Sequence, residues 1–288
     1  MSIAFYPADW TWHIWGMLFF IGMGAGASLF AGTAYVLSRK KFEVLMNAGT
    51  YLSFPIGLVG AILLITHVTK PFQAYLVFRN SGSVMTWGAA FISAFLIVSL
   101  IDILVTRFRP DGNFKLGTKI VTMIVAFLVA TYSAVLLGAL ASRPLWFTPF
   151  LPWLFLSSAL LTGVALTMGT SSLSVRGRQE LSSNAKTLGR SLIVLEASEA
   201  LFIGLYAISV SPSGELMNLL QGSLGLYFLL GVVVVGLAVP LLADIYMAVT
   251  KAHFNYALSG ISAILVLVGG LLLRYVIVMA GQMIQVLH

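Results

Sequence analysis

Residues 118–146 read TKIVTMIVAFLVATYSAVLLGALASRPLW. The run from 118 to 141 is apolar almost throughout and stops at Arg143-Pro144. A helix of roughly 20 apolar residues crosses the hydrocarbon core of a bilayer, so this stretch predicts a membrane span that ends just before the Arg-Pro break. Inside it, about three helical turns before the break, stands Tyr132. A phenol at that depth is costly without a hydrogen-bond partner, on the order of 1–3 kcal/mol, which makes Tyr132 the first candidate functional residue.

The rest of the chain repeats the pattern. Of 288 residues 59% are hydrophobic and only 9% charged, more apolar surface than a soluble domain can bury. Apolar runs lie at about 12–37, 49–66, 84–106, 118–141, 149–172, 191–210, 222–247 and 257–280. They predict an all-α integral membrane protein with eight transmembrane helices. Two successive four-helix bundles, 1–141 and 149–288, are the expected packing. There are no cysteines, so a disulfide framework, a thiolate metal site and an iron–sulfur cluster within this chain are excluded. The N-terminal MSIAFYPADWTWH has neither a basic n-region nor a small-residue cleavage site, and no removable signal peptide is expected.

Basic residues orient the spans. The odd-numbered loops carry twelve: Arg39, Lys40 and Lys41; Arg107, Arg109, Lys115 and Lys119; Arg176, Arg178, Lys186 and Arg190; and Lys251. The even-numbered loops carry three, Lys70, Arg79 and Arg143. The positive-inside rule then puts the odd loops in the cytoplasm and both termini outside the cytoplasmic membrane.

That topology gathers a set of residues at the outer surface: Asp9, Trp10, Trp12 and His13 at the start of helix 1, His67 and Lys70 at the end of helix 2, and Tyr132, Arg143 and Trp146 around the end of helix 4. The tryptophans read as an interfacial aromatic belt, His13 equally as a solvated helix end, and Lys70 and Arg143 as snorkelling or docking charges. On the cytoplasmic half, Glu196 and Glu199 lie three apart on helix 6, Asp102 ends helix 3 and Asp244 lies near the end of helix 7. Carboxylates within spans point to a proton path. The plainer alternative pairs Glu196 and Glu199 with Arg190 or another buried base and leaves Asp102 and Asp244 as solvated helix ends. Arg274, inside the last span, calls for a carboxylate or carbonyl partner. Four histidines, two of them in a loop or at the terminus, do not supply the paired ligands of a haem b anchor, and no metal site is expected.

Several stretches resemble one family, NrfD/PsrC, the membrane subunit of polysulfide reductase and related molybdenum respiratory enzymes. Phe127 to Trp146, FLVATYSAVLLGALASRPLW, is similar to its fourth helix and following loop, with a Tyr at the same interval before Arg-Pro-Leu-Trp. Trp12 to Phe30, with Gly22, Gly24 and Gly26, resembles its first helix; SVMTWG at 83–88 resembles its helix 3 entry; and Leu273-Arg274-Tyr275 through Ala280-Gly281-Gln282 resembles its C-terminal end. The resemblance implies a quinone site on the outer side of the first bundle, with menaquinone favoured over ubiquinone. It also implies a soluble partner with four iron–sulfur clusters and a catalytic subunit with a molybdopterin cofactor. In that family a helix 4 Tyr holds the quinone with an Asn and a His on helix 1. Tyr132 matches the Tyr, whereas His13 stands in the place of the Asn and Met17 in the place of the His. His67 occupies the helix 2 position where many relatives carry an acid.

A quinone couple exchanges two electrons and two protons. Tyr132 can donate to one carbonyl and His13 or His67 to the other, with a proton to pass on. Lys70 and Arg143 can offset negative charge on the reduced ring. On this reading the chain is no enzyme by itself. It is the quinone-reactive anchor of an oxidoreductase complex in anaerobic respiratory electron transport, binding no nucleic acid. A secondary transporter would show broken helices in two repeats, and a purely structural anchor would leave Tyr132 without a function.

Overall fold

The computed structural model describes residues 10–38, 41–67, 71–80, 82–108, 112–139, 143–250 and 255–282. Eight helices in it are long and apolar enough to cross a membrane: α1 (Trp12–Ser38), α2 (Glu43–His67), α3 (Val84–Phe108), α4 (Asn113–Gly138), α5 (Leu151–Ser171), α6 (Ala185–Val210), α7 (Ser223–Thr250) and α8 (Tyr256–Ala280). No strand occurs among the described residues. The protein is therefore all-helical and multi-pass.

The helices are not equivalent. In its most apolar window α1 is 83% buried and α5 72%, against 28% for α3 and α7, which turn most of their surface to lipid. Small residues put α1 at the centre. A Cβ on Gly26 would land on the Ala159 carbonyl of α5, and one on Gly163 would land on the Gly26–Ala27 backbone. Only glycine allows that backbone-to-backbone approach, the device by which membrane helices gain dispersion contact where no hydrophobic drive exists. Helices α1 and α5 thereby form a seam from which α2, α4 and α8 extend. The main core, which includes Met17, Ile21, Phe95, Trp146, Phe155 and Leu273, follows that seam.

The polar run after α5 is not a plain loop. Val175–Ser183 forms a short helix capped by Ser174, whose hydroxyl accepts from the Gly177 N–H at 3.0 Å. The Glu180 carboxylate on that helix accepts from the backbone N–H groups of Val44 and Leu45 at 2.8 and 2.9 Å, so it caps α2 from another part of the chain. Lys115 and Lys119, read from sequence as loop charges, lie within the first two turns of α4, and Lys186 and Arg190 within the first two turns of α6. Apolar content moved the sequence boundaries inward. The helices extend further: at α6 Lys186 and Arg190 are exposed, as suits the headgroup region, whereas at α4 Lys115 and Lys119 are buried.

Near its middle α7 widens into a π-helical stretch, Tyr227–Ala238, that ends just before Pro240. Proline removes an N–H from the ladder and crowds the preceding turn, which accounts for a wider hydrogen-bond register on its N-terminal side.

Candidate functional site

Helix direction alternates, so the start of α1, the end of α2, the start of α3 and the end of α4 share one end of the molecule. Two imidazoles meet there. The rings of His13 and His67 lie 5.8 Å apart between centroids. The Thr11 hydroxyl sits between them, 2.9 Å from His13 Nδ1 and 3.5 Å from His67 Nδ1. The exposed Trp12 ring stacks on His13 at 4.0 Å. Both histidines are half-buried. His13 is thus more than a solvated helix end: its ring is held on one side by an indole and on the other by a hydroxyl shared with His67.

Tyr132 is half-buried against the first two turns of α3. Its ring meets Phe91 edge-on at 5.1 Å and lies over Gly88, where a Cβ would strike it. The hydroxyl that the sequence left in want of a partner donates to the Val84 carbonyl. The partner that the sequence called for is thus supplied, in this structure, by the α3 backbone. Val84 is the first residue of α3 and already has the Gly88 N–H four residues on as its helical donor. The bond from Tyr132 is thus an addition, and the Val84 carbonyl would stay paired if the phenol turned to another acceptor.

The Arg143–Trp146 block serves the fold. The Arg143 carbonyl accepts from the N–H groups of Trp146 and Phe147 at 3.0 and 2.9 Å, forming a tight turn beside the half-buried Arg143. Tyr206 of α6 donates to the Leu145 carbonyl at 3.0 Å, and Trp146 donates its indole N–H to the Ile277 carbonyl of α8 at 2.8 Å. Trp10 stacks on Trp146 at 4.9 Å, and Gln282 clasps the Trp10 backbone, accepting from its N–H at 2.9 Å and donating to its carbonyl at 3.1 Å. Trp146 is 2% exposed, so it is no member of an interfacial belt. It bolts the loop after α4 to the last span. A buried indole with a dedicated acceptor is a packing device.

Of the other expected site residues, Met17 falls elsewhere. One turn below His13, it is buried in the main core with Ile14, Leu18 and Ile21; an apolar side chain at that depth packs against its helix neighbours. Lys70 and Asp9 lie outside the described residues.

Away from that cluster the acids separate into three groups; Asp102 and the Glu196–Asp244 pair lie toward the opposite end, whereas Glu199 and Arg274 meet the first half of α5, in the half nearer Tyr132. Asp102 is buried and bonds Lys119 at 2.8 Å, while the Lys119 ammonium also donates to the Thr50 hydroxyl at 2.5 Å. Asp102 is therefore no solvated helix end; α3 runs six residues past it, and it is paired across α3 and α4. Glu199 is buried on α6, within the electrostatic reach of Ser158 of α5 and of Arg274. Arg274 donates to the Ser158 hydroxyl, to the Phe155 carbonyl at 3.1 Å and to the Gly270 carbonyl at 3.3 Å, with its guanidinium 4.9 Å from the Phe155 ring centroid. The partners of Arg274 are thus carbonyls, one hydroxyl and the field of Glu199. Glu196 and Asp244 line a common narrow cleft with Ser259 and Ser262. No ion pair joins Arg190 to either glutamate among the described residues.

The sequence profile of the family described as "Polysulphide reductase, NrfD" matches residues 3–286, nearly the whole chain. The chain belongs to the NrfD family. Its relatives include a polysulfide reductase chain of Wolinella succinogenes, 30% identical over 95% of the present sequence and 94% of the relative. The NrfD homolog of Haemophilus influenzae is 27% identical over the same shares, and a selenate reductase subunit of Mesobacillus selenatarsenatis is 21% identical over 93% and 73%. The resemblance carried by the Tyr, the Arg-Pro-Leu-Trp block and the α1 glycines is a family relationship.

Within this NrfD-family protein, sequence reasoning missed Lys119, Thr11, Ser158 and Tyr206. Lys119 had a visible signal: an acid at the end of one apolar run faces a base at the start of the next, and hairpin helices bring such positions level. The other three are hydroxyls whose roles depend on which helix face meets which neighbour, and a single sequence does not hold that information.

Proposed function

We propose that this protein is the membrane anchor and quinone-reactive subunit of a respiratory oxidoreductase complex. It exchanges electrons between the quinone pool and an iron–sulfur subunit, in a complex of the kind to which its polysulfide and selenate reductase relatives are assigned by name. The partner carries four clusters, a further subunit carries a molybdopterin cofactor, and the quinone is menaquinone. The complex sits in the cytoplasmic membrane with both termini of this chain outside. The first bundle, 1–141, holds the quinone site, and the second, 149–288, is joined to it along the α1–α5 seam.

The observation that carries the reading is the His13–Thr11–His67 cluster at the same end as Tyr132. A quinone supplies two-electron, two-proton redox chemistry when bound. The protein's part is to hold protons and donate hydrogen bonds at the head group, and the residues present fit that part. Tyr132 can redirect its hydroxyl from Val84 without orphaning the carbonyl. Each histidine can keep one ring nitrogen toward Thr11 and present the other, so that one fixes the tautomer while the other donates. Arg143 adds positive charge nearby, and Lys70 is assigned the same part from its place in the sequence. Protons for the opposite side are assigned to the inner carboxylates Glu196, Glu199, Asp102 and Asp244, of which Glu196 and Asp244 share a cleft.

Replacing both imidazoles by amides (His13→Gln with His67→Gln) keeps hydrogen bonding but removes proton carriage. Quinone-linked turnover of the assembled complex should fall by about 10²-fold, the lower range for losing a general acid–base, with subunit stoichiometry unchanged. Unchanged turnover in that variant would exclude the cluster from the reaction.

A further inference from the structure

The cleft between α5, α6, α7 and α8 has chemistry that a hydrogen-bond network within the protein does not satisfy. Glu196 is 1% exposed, and neither of its carboxylate oxygens has a hydrogen-bond partner among the described residues. Asp244 is 3% exposed and its Oδ2 is also unpartnered. Both line the same space, closed on the α8 side by Ser259 and Ser262 and on the α5 side by Ala165 and Met168. No lysine or arginine is in this lining. The buried base Arg274 is committed to Ser158, to two backbone carbonyls and to the field of Glu199.

Two buried carboxylates with bare oxygens are expensive in their charged form, and either protons or a bound positive charge relieves that cost. The donor set consists of carboxylate and hydroxyl oxygens, without thiolate or imidazole, and such sets select hard cations over transition metals. We infer that Glu196 and Asp244, with Ser259 and Ser262, bind one partly dehydrated hard cation in this cleft. Two carboxylates and two hydroxyls offer up to six oxygens, which suits Na⁺ or Ca²⁺. Mg²⁺ keeps several of its waters and needs more room than this narrow space gives. The site lies toward the end of α5, the first half of α6, the end of α7 and the start of α8, in the half of the membrane where the basic residues cluster.

This site stands apart from the quinone reading. Proton passage and cation binding are competing uses of the same two carboxylates. The test is therefore made without quinone or turnover, on the purified full-length protein in its complex, stripped with chelator and exchanged into choline chloride. Thermal unfolding is followed while NaCl, CaCl₂, MgCl₂ or further choline chloride is added at constant ionic strength, and equilibrium binding of radioactive sodium and calcium is measured in parallel. A saturable rise in midpoint with Na⁺ or with Ca²⁺, absent with choline, and about one ion bound per protein molecule are expected; which of the two ions does this names the occupant. Glu196→Gln should weaken the apparent affinity at least tenfold, and Ser262→Ala, which leaves both carboxylates in place, by a smaller factor. A response no different from that of choline, with no ion retained by the wild-type protein, would overturn the site. So would a response that survives intact in both Glu196→Gln and Asp244→Asn.

Discussion

Tyr132→Phe should lower quinone-linked turnover of the assembled complex about tenfold or more and leave its thermal stability nearly unchanged. The two effects separate because the phenol's present acceptor is not dependent on it. Val84 keeps its helical partner, so the fold loses at most one net hydrogen bond, about 0.5–1.5 kcal/mol. The ring stays against Phe91 and Gly88 and continues to fill its place. What disappears is the donor near the end of α4 that meets the start of α3. A hydrogen bond that strengthens as charge develops on an oxygen is worth more in the transition state than at rest, and a factor of ten corresponds to only about 1.4 kcal/mol. Steady-state assays of the complex with a short-chain quinol check this. A loss confined to KM would mark Tyr132 as a binding contact, whereas a loss in kcat would mark it as a participant in the reaction.

Lys119→Met should be among the most damaging single changes in the protein, costing about 3–5 kcal/mol through the uncompensated charge it leaves on Asp102. Both groups are almost fully buried, and the ammonium also holds the Thr50 hydroxyl of α2, so one side chain links three helices of the first bundle. Adding Asp102→Leu to Lys119→Met should recover most of that loss, because replacing a whole buried pair by apolar groups of similar volume is often neutral or better. Thr50 tolerates the exchange, since its hydroxyl also donates to the Met46 carbonyl at 2.9 Å. Thermal midpoints of the three purified variants, or their levels in the membrane, give the answer. A double variant as poor as the single one would mean that the pair is needed for more than mutual neutralisation.

How much of this could be read from the sequence depends on what each residue's signal is made of. Eight spans were legible because bilayer thickness imposes one length on all of them, and the break at Arg143-Pro144 marks the end of the fourth. The family was legible in short blocks such as Arg143-Pro144-Leu145-Trp146, but the reason that block is kept was not. Trp146 reads as an interfacial aromatic, since tryptophan favours that depth, and only the packing of α8 beside the loop turns its indole inward to Ile277. Tyr132 shows the converse: the sequence rightly demanded a partner for the hydroxyl, but could not see that the α3 backbone offered one. For the inner acids, helical spacing put Glu196 and Glu199 on neighbouring faces. It took the positions of α5, α7 and α8 to send one toward Asp244 and the other toward Arg274.

The central claim is that a quinone head group meets this protein at the outer end of α1–α4. Photolabelling of the intact complex with a photoreactive menaquinone analogue, followed by peptide mapping, tests it most directly. The account predicts label on peptides holding His13, His67, the first turns of α3 and Tyr132, and its disappearance when unmodified menaquinone is present in excess. Label concentrated on α6, α7 or α8, or label at the outer end that excess menaquinone does not displace, would contradict it.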